Sequence, residues 1–222
     1  MAIIHRTTLT PTKLELLASW LPTRPWYAGG PTPPELAKAG GFRLDDPEGE
    51  VGIEFMVTTD TSGAAPVHYL APLAYRGAPL PGAEHALVGT TEHGVLGTRW
   101  VYDGIHDPVL VTQLLALFAG KAEPQAQSLT DTPDHEITHS YDGDGPLPTT
   151  ASPATDTAEA TELPLTSGAG PTVLHLNRVL HPDALALPPH TKGQLTGHWT
   201  LPDETRVRGL FAVLRANPVG LR

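Results

Sequence analysis

Two histidines and a glutamate have the spacing of a zinc hydrolase. The run His135-Glu136-Ile137-Thr138-His139 fits the H-E-x-x-H pattern, in which two imidazoles on one face of a rigid helix bind zinc and the glutamate acts as base. The flanking runs, Asp131-Thr132-Pro133-Asp134 and Ser140-Tyr141-Asp142-Gly143, do not favour a stable helix. The sequence therefore favours a chance match in a polar strand or loop. A zinc hydrolase using His135 and His139 is the weaker alternative.

Two short aromatic runs could bind a ligand. Trp26-Tyr27 lies near the N-terminus and Arg99-Trp100 near the middle of the chain, and aromatic rings beside a guanidinium are typical of a sugar-binding face. We therefore take Trp26, Tyr27, Arg99 and Trp100 as a candidate binding surface. The competing interpretation is packing, because the chain has only four tryptophans and large aromatic side chains commonly supply core contacts.

Other catalytic patterns are missing from the sequence. It contains neither the phosphate-binding loop Gly-x-x-x-x-Gly-Lys-[Ser/Thr] nor the nucleophile elbow Gly-x-Ser-x-Gly. It also has no cysteine, so a disulfide framework or a thiolate metal site is impossible. The sequence thus names no catalytic residue, and we expect neither a metal nor a cofactor.

The charge distribution bears on possible partners. The net charge is −10, and residues 122–177 hold nine acids and no lysine or arginine. The rest of the chain has 24 − 9 = 15 acids against 14 lysines and arginines. Since binding to nucleic acid or an anionic membrane requires a basic face, we expect neither partner. The N-terminus shows no apolar run of signal-peptide length, and we expect a cytoplasmic protein.

The elements that must position these residues are best defined before residue 121. Thr10-Pro11 followed by a helical apolar stripe predicts a helix that ends at Pro22. Alternation over residues 51–58 predicts a half-buried strand, and a second strand over 67–75 would complete a hairpin. Asp107-Pro108 predicts the start of an apolar helix that ends at Gly120.

The remaining chain is interpreted in two parts. Residues 128–170 lack a sustained apolar period and are rich in Thr, Pro, Asp and Gly, which indicates a loop or linker. Three strand-like runs follow, at 172–180, 194–201 and 206–215, with Pro202-Asp203-Glu204 as a hairpin turn. We predict an α+β fold: an antiparallel sheet with packed helices at 1–121, an acidic Pro/Thr/Ala-rich linker at 122–170, and a small antiparallel β element at 171–222.

Much of the first part resembles a known family. The resemblance covers about residues 16–120 and rests on Trp20-Leu21-Pro22, Pro25-Trp26-Tyr27-Ala28-Gly29, the run from Pro72 to Leu87, Glu92-His93-Gly94-Val95-Leu96-Gly97 and Arg99-Trp100-Val101-Tyr102-Asp103. These runs are similar to the N-terminal cap of bacterial maltokinases. The family's cap has basic residues where this chain has Pro25, Gly30 and Pro31.

The resemblance does not extend to the kinase chemistry. The family's His-Gly-Asp catalytic signature does not occur here. Asp46-Pro47-Glu48-Gly49-Glu50 is similar to the family's magnesium-binding run, but it precedes the first strand and is interpreted as a turn. Residues 172–180 resemble the strand whose lysine contacts ATP, with His175 in place of that lysine, so they could be a degenerate kinase N-lobe or an unrelated β unit.

The resemblance implies a link to α-glucan, trehalose and maltose metabolism. We expect a freestanding, non-catalytic cap-like module that binds a protein partner of that pathway or a glucan. The alternative is a split kinase lobe that completes a sugar-kinase active site with a second chain.

Overall fold

The fold is built mainly from antiparallel strands. In the computed structural model, residues 8–129, 132–143, 147, 150–167 and 170–216 are described. In chain order the strands of these ranges are β1 (Leu9–Thr10), β2 (Leu36–Leu44), β3 (Gly52–Asp60), β4 (Val67–Arg76), β5 (Leu87–His93), β6 (Gly97–Asp103), β7 (Gln125–Ala126), β8 (Thr138–Tyr141), β9 (Thr150–Ala151), β10 (Thr155–Asp156), β11 (Ala160–Ser167), β12 (Gly170–Asn177), β13 (Val179–Leu180), β14 (Thr191–Thr200) and β15 (Arg206–Ala216). The α-helices are α1 (Lys13–Trp20) and α2 (Pro108–Phe118).

The strands form one continuous sheet. Its order is β1-β5-β6-β4-β3-β2-β14-β15-β12-β11-β10, and β13, β7, β8 and β9 add pairings to β4, β2, β14 and β11. Two predicted hairpins are confirmed, β3 with β4 and β14 with β15. In the second hairpin Leu201 and Thr205 bracket the predicted turn, where the Leu201 carbonyl accepts the N–H of Glu204.

The two halves of the sheet meet at a narrow seam. Gly40 of β2 pairs with Trp199 of β14, and a Cβ at Gly40 would lie 3.0 Å from the carbonyl oxygen of His198. Glycine therefore permits the close approach of the two strands. A second link forms where β13 pairs with β4, because Val179 and Leu180 lie opposite Tyr69 and His68.

Both faces of the central strands are buried, which differs from the half-buried strand predicted for residues 51–58. Phe55 and Val57 of β3 join a core that includes α2 and the C-terminal strands, whereas Met56 joins a second core beneath α1. Periodicity of two describes a strand covered on one side. Met56 stands at a position that the alternation predicts to face solvent, and it is buried because the second face of the sheet is covered as well.

The helices begin at side-chain caps. Asp107 caps α2 as predicted, Pro108 occupies its first turn, and Gly120 follows its end with a φ of 67°. The predicted start of α1 is shifted, since Thr12 rather than Thr10 is the cap. Thr12 and Glu15 form a reciprocal capping box, which satisfies two backbone N–H groups at once.

The loop or linker predicted for residues 128–170 is wrong for part of its described length. β8 pairs with β14, and β11 pairs with β12 from Ala160 opposite Asn177 to Ser167 opposite Gly170. β11 gives a weak sequence signal because only Leu163 and Leu165 are large and apolar, and both are buried. Their burial comes from neighbouring strands far away in sequence, which no local pattern reveals. The division of the chain into three domains stays a prediction.

The fold class is confirmed only in its main feature. The chain is predominantly antiparallel sheet, as expected, but the two α-helices are short and the helical layer is smaller than an α+β label implies. In the ranges described, no helix is long and apolar enough to cross a membrane.

Candidate functional site

A cleft of about 950 Å³ opens at one end of strands β2 to β6. The turn after β2 and the segment after β4 form much of its rim. Its charged and hydrogen-bonding side chains are spread over residues 13–127: Lys13, Arg43, Asp46, Glu50, Glu54, Tyr75, Arg76, His93, Arg99 and Gln127. The volume falls within the range typical of small-molecule sites.

Glu54 lines this cleft and bonds to three of its other side chains. Its side chain is 5% exposed and accepts hydrogen bonds from Lys13 Nζ at 2.5 Å, Tyr75 Oη at 2.8 Å and Gln127 Nε2 at 2.7 Å. Burial by itself would raise the pKa of Glu54. The charge of Lys13 and the hydrogen bonds from Lys13, Tyr75 and Gln127 outweigh burial, so the pKa lies below its ordinary value. The carboxylate is therefore ionised at neutral pH and holds three side chains in place.

Lys13 and Tyr75 are positioned by that carboxylate. Lys13 is the first residue of α1, and its ammonium lies 5.4 Å from the centre of the Tyr75 ring. Burial, followed by the charge and hydrogen bond of Glu54, raises the pKa of Tyr75 well above its ordinary value. Tyr75 is thus a neutral hydrogen-bond donor. The side chain of Lys13 remains 34% exposed and lines the cleft, where it can reach a ligand.

A second ion pair fixes the wall beside α2. Arg76 donates from Nε and Nη2 to the carboxylate of Asp107, at 2.6 and 3.0 Å. These hydrogen bonds, against some loss from burial, raise the pKa of Arg76. Since Asp107 also caps α2, one carboxylate joins the helix to β4.

The turn predicted for residues 46–50 is confirmed. The Asp46 carboxylate accepts N–H groups from Glu48, Glu50 and Val51 at 2.9–3.1 Å, and Gly49 has a φ of 72°. This geometry turns the carboxylate toward its own backbone. The turn over residues 46–50 forms one rim of the cleft.

The predicted binding surface is not one surface. Trp26 is only 1% exposed and contacts Trp20, Tyr69 and the guanidinium of Arg178. Its indole supplies core packing, which corrects its interpretation as a surface residue. For Trp26, the alternative interpretation as a packing residue is the correct one.

The other three residues are divided between different places. Tyr27 donates its hydroxyl to Asp60 at 3.0 Å, near the β3–β4 turn. Trp100 packs against the core shared with α2. Arg99 alone lines the cleft.

The H-E-x-x-H run lacks the helix that a zinc hydrolase needs. His135 and Glu136 lie in a turn, and His139 lies in β8. Ile137 is buried, and Glu136 forms an ion pair with Arg206. The interpretation as a strand or loop is therefore confirmed. Across the described ranges, no group of three or more histidines and acids is arranged to hold a metal ion.

Sequence comparison bears on the residues around the cleft. The family described as the maltokinase N-terminal cap domain matches residues 20–107. The predicted resemblance is confirmed for this segment. No curated protein matches the chain. Glu54 and the three side chains that bond to it, Lys13, Tyr75 and Gln127, form what we call the Glu54 network. Glu54 and Tyr75 lie in the segment that the family model matches, whereas Lys13 and Gln127 lie on either side of it.

The residues of the Glu54 network were missed in the sequence analysis. Glu54 occupies a position in the alternating run that predicts a solvent-facing side chain, so nothing local indicated its burial. Lys13 and Gln127 are 41 and 73 residues from Glu54.

Proposed function

We propose that this protein is a non-catalytic binding module related to maltokinase, and that its cleft binds an α-glucan oligosaccharide. The observation that carries the proposal is the group of polar side chains, Lys13, Tyr75 and Gln127, that Glu54 holds in fixed positions in the cleft. Sugars present hydroxyl groups as both donors and acceptors. A site with side chains already fixed in place loses little conformational entropy when it binds them.

The match to the maltokinase cap model over residues 20–107 supports the relation to maltokinase, and the side chains of the cleft support the type of ligand. Lys13 offers N–H donors beyond the one used by Glu54, because an ammonium carries three. The exposed carboxylate of Glu50 offers acceptors at the rim. This mixture of donors and acceptors suits a polyhydroxylated ligand better than an apolar one.

No specific observation favours the split kinase lobe. His175, at the position of the family's ATP-contacting lysine, lies 3.3 Å from the carboxylate of Glu162, and Arg215 contacts the same carboxylate at 2.5 Å. A phosphate would meet a carboxylate here instead of a free ammonium.

Calorimetric titration tests the proposal. Maltotriose should bind in a one-to-one, saturable manner, and cellobiose, a β-linked glucose disaccharide, serves as the control sugar. Ala78→Trp should abolish binding by filling the cleft from its exposed rim. The matched control is Ala65→Trp, at the exposed β3–β4 turn away from the cleft, which should bind maltotriose like the wild type. No heat of binding with any α-glucan, or equal loss in both variants, would refute the proposal.

A further inference from the structure

The cationic side chains around the cleft are not all neutralised. Four lysine or arginine side chains line it: Lys13, Arg43, Arg76 and Arg99. Lys13 pairs with Glu54 and Arg76 with Asp107. Among the residues that the structure describes, Arg43 and Arg99 have no carboxylate partner, although the whole chain carries a net charge of −10. Two guanidinium charges thus face the cleft unpaired in an acidic protein.

Arg99 is held in place without being neutralised. Its Nη2 donates to the carbonyl oxygen of Leu96 at 2.9 Å, and its Nη1 lies against the backbone at Gly77. Its Nε is shielded from solvent and has no hydrogen-bond partner in the described part of the chain. A guanidinium carries five N–H donors, and within the described residues only the carbonyl oxygen of Leu96 accepts one of them. Donors on Nη1 and Nη2 therefore remain for a ligand in the cleft.

Arg43 lies at the other end of the cleft and is less available. Its Nε and Nη2 donate to the carbonyl oxygens of Ala126 and Leu129, at 3.3 and 3.2 Å. Strands β3 and β4 separate β2 from β6, so Arg43 and Arg99 start about 14 Å apart across the sheet. Arg43 thus donates two hydrogen bonds and Arg99 only one, so Arg99 keeps more N–H donors for a ligand.

We propose that the ligand of this cleft carries an anionic group, a phosphate ester or a carboxylate, and that Arg99 binds this group. The inference rests on the proposed carbohydrate-binding function and specifies the class of sugar. A guanidinium matches the planar geometry of a carboxylate or two phosphate oxygens, and such charge-assisted hydrogen bonds are stronger than neutral ones. The sugar ring then lies toward Lys13 and Tyr75.

Gly77 provides a test that leaves the charge in place. A Cβ at this position would lie 2.6 Å from Arg99 Nη1. Since that atom is the end of a flexible side chain, Gly77→Ala should displace the guanidinium while changing stability little. The variant therefore separates the position of Arg99 from its charge.

The experiment is an NMR titration with glucose, glucose 6-phosphate, glucuronate and inorganic phosphate. Glucose 6-phosphate or glucuronate, or both, should bind at least about tenfold more tightly than glucose, a factor that corresponds to one specific charged contact. Whichever of the two binds more tightly identifies the anionic group. Arg99→Gln and Gly77→Ala should remove the advantage, so that glucose 6-phosphate and glucuronate bind no more tightly than glucose to either variant. Lys121→Gln is the control, because it removes one exposed positive charge outside the cleft.

The outcomes separate this inference from the proposed function. If α-glucans bind but anionic sugars bind no better than glucose, the proposed function stands and the role of Arg99 is wrong. An equal loss in Arg99→Gln and Lys121→Gln would show a general charge effect and also overturn it. Inorganic phosphate that binds as tightly as glucose 6-phosphate, with no contribution from the sugar, would contradict a sugar ligand. If no sugar binds, both proposals fail.

Discussion

Replacing Asp107 with alanine tests how β4 is joined to α2. The carboxylate, which is 0% exposed, accepts N–H groups of Val109 at 2.9 Å and Leu110 at 3.3 Å, and also binds Arg76. From sequence, only a lost helix cap is expected, which costs about 0.5–2 kcal/mol. Arg76 is 19% exposed, and removing one partner of a buried ion pair typically costs about 3–5 kcal/mol. Because water reaches part of Arg76, we expect a total loss of about 3–5 kcal/mol for both effects.

Urea unfolding of a double-mutant cycle measures this directly. The cycle contains Asp107→Ala, Arg76→Met and the double variant, and the double variant should lose clearly less than the sum of the single losses. Thr12→Ala is the matched control, since Thr12 caps α1 without an ion pair. If Asp107→Ala costs no more than Thr12→Ala and the two sites show no coupling, the double role of Asp107 is refuted.

Three further predictions concern the core, pH and catalysis. Leu114→Ala, at a fully buried position of α2, should cost about 2–5 kcal/mol in urea melts, whereas a neutral result would show that this face is not core; exposed Thr112→Ala is its control. Because the pKa of Glu54 is lowered in the folded state, its contribution to stability is present above its unfolded pKa, near the ordinary 4.5, and is lost as pH falls through the lower folded value. Glu54→Gln should therefore lose less stability below pH 4.5 than the wild type or the control variant Glu50→Gln. Identical acid profiles for the three proteins would contradict this. The purified protein should not transfer phosphate from ATP to maltose, and turnover at the kinase scale of about 1–100 per second that persists through repurification would contradict a non-catalytic role.

Local sequence signals predicted local structure well. Asp107 with Pro108 predicted the start of α2, and Asp46 through Glu50 predicted a turn, because a cap or turn depends on side chains that bond to nearby backbone. The β3–β4 hairpin was equally accessible, since its two strands are adjacent in sequence.

Long-range contacts were the limit of prediction. The pairing of β2 with β14 joins residues 40 and 199, and burial of Trp26 depends on Tyr69 and Arg178. The Glu54 network likewise needs α1 and the segment after α2. These contacts are set by the sheet order, which the alternation of individual strands does not encode. Arg99 was predicted as a site residue for its chemistry, and the structure places it at a cleft that sequence reasoning had not located.

A crystal structure of the protein with maltotriose tests the central claim most directly. The account predicts sugar density in the cleft, with hydroxyl groups within hydrogen-bond distance of Lys13 and close to Tyr75 and Gly77, and an unchanged Glu54 network. Sugar bound at Trp100 or at Tyr27 outside the cleft, or an empty cleft at a concentration that saturates binding in calorimetry, would contradict it.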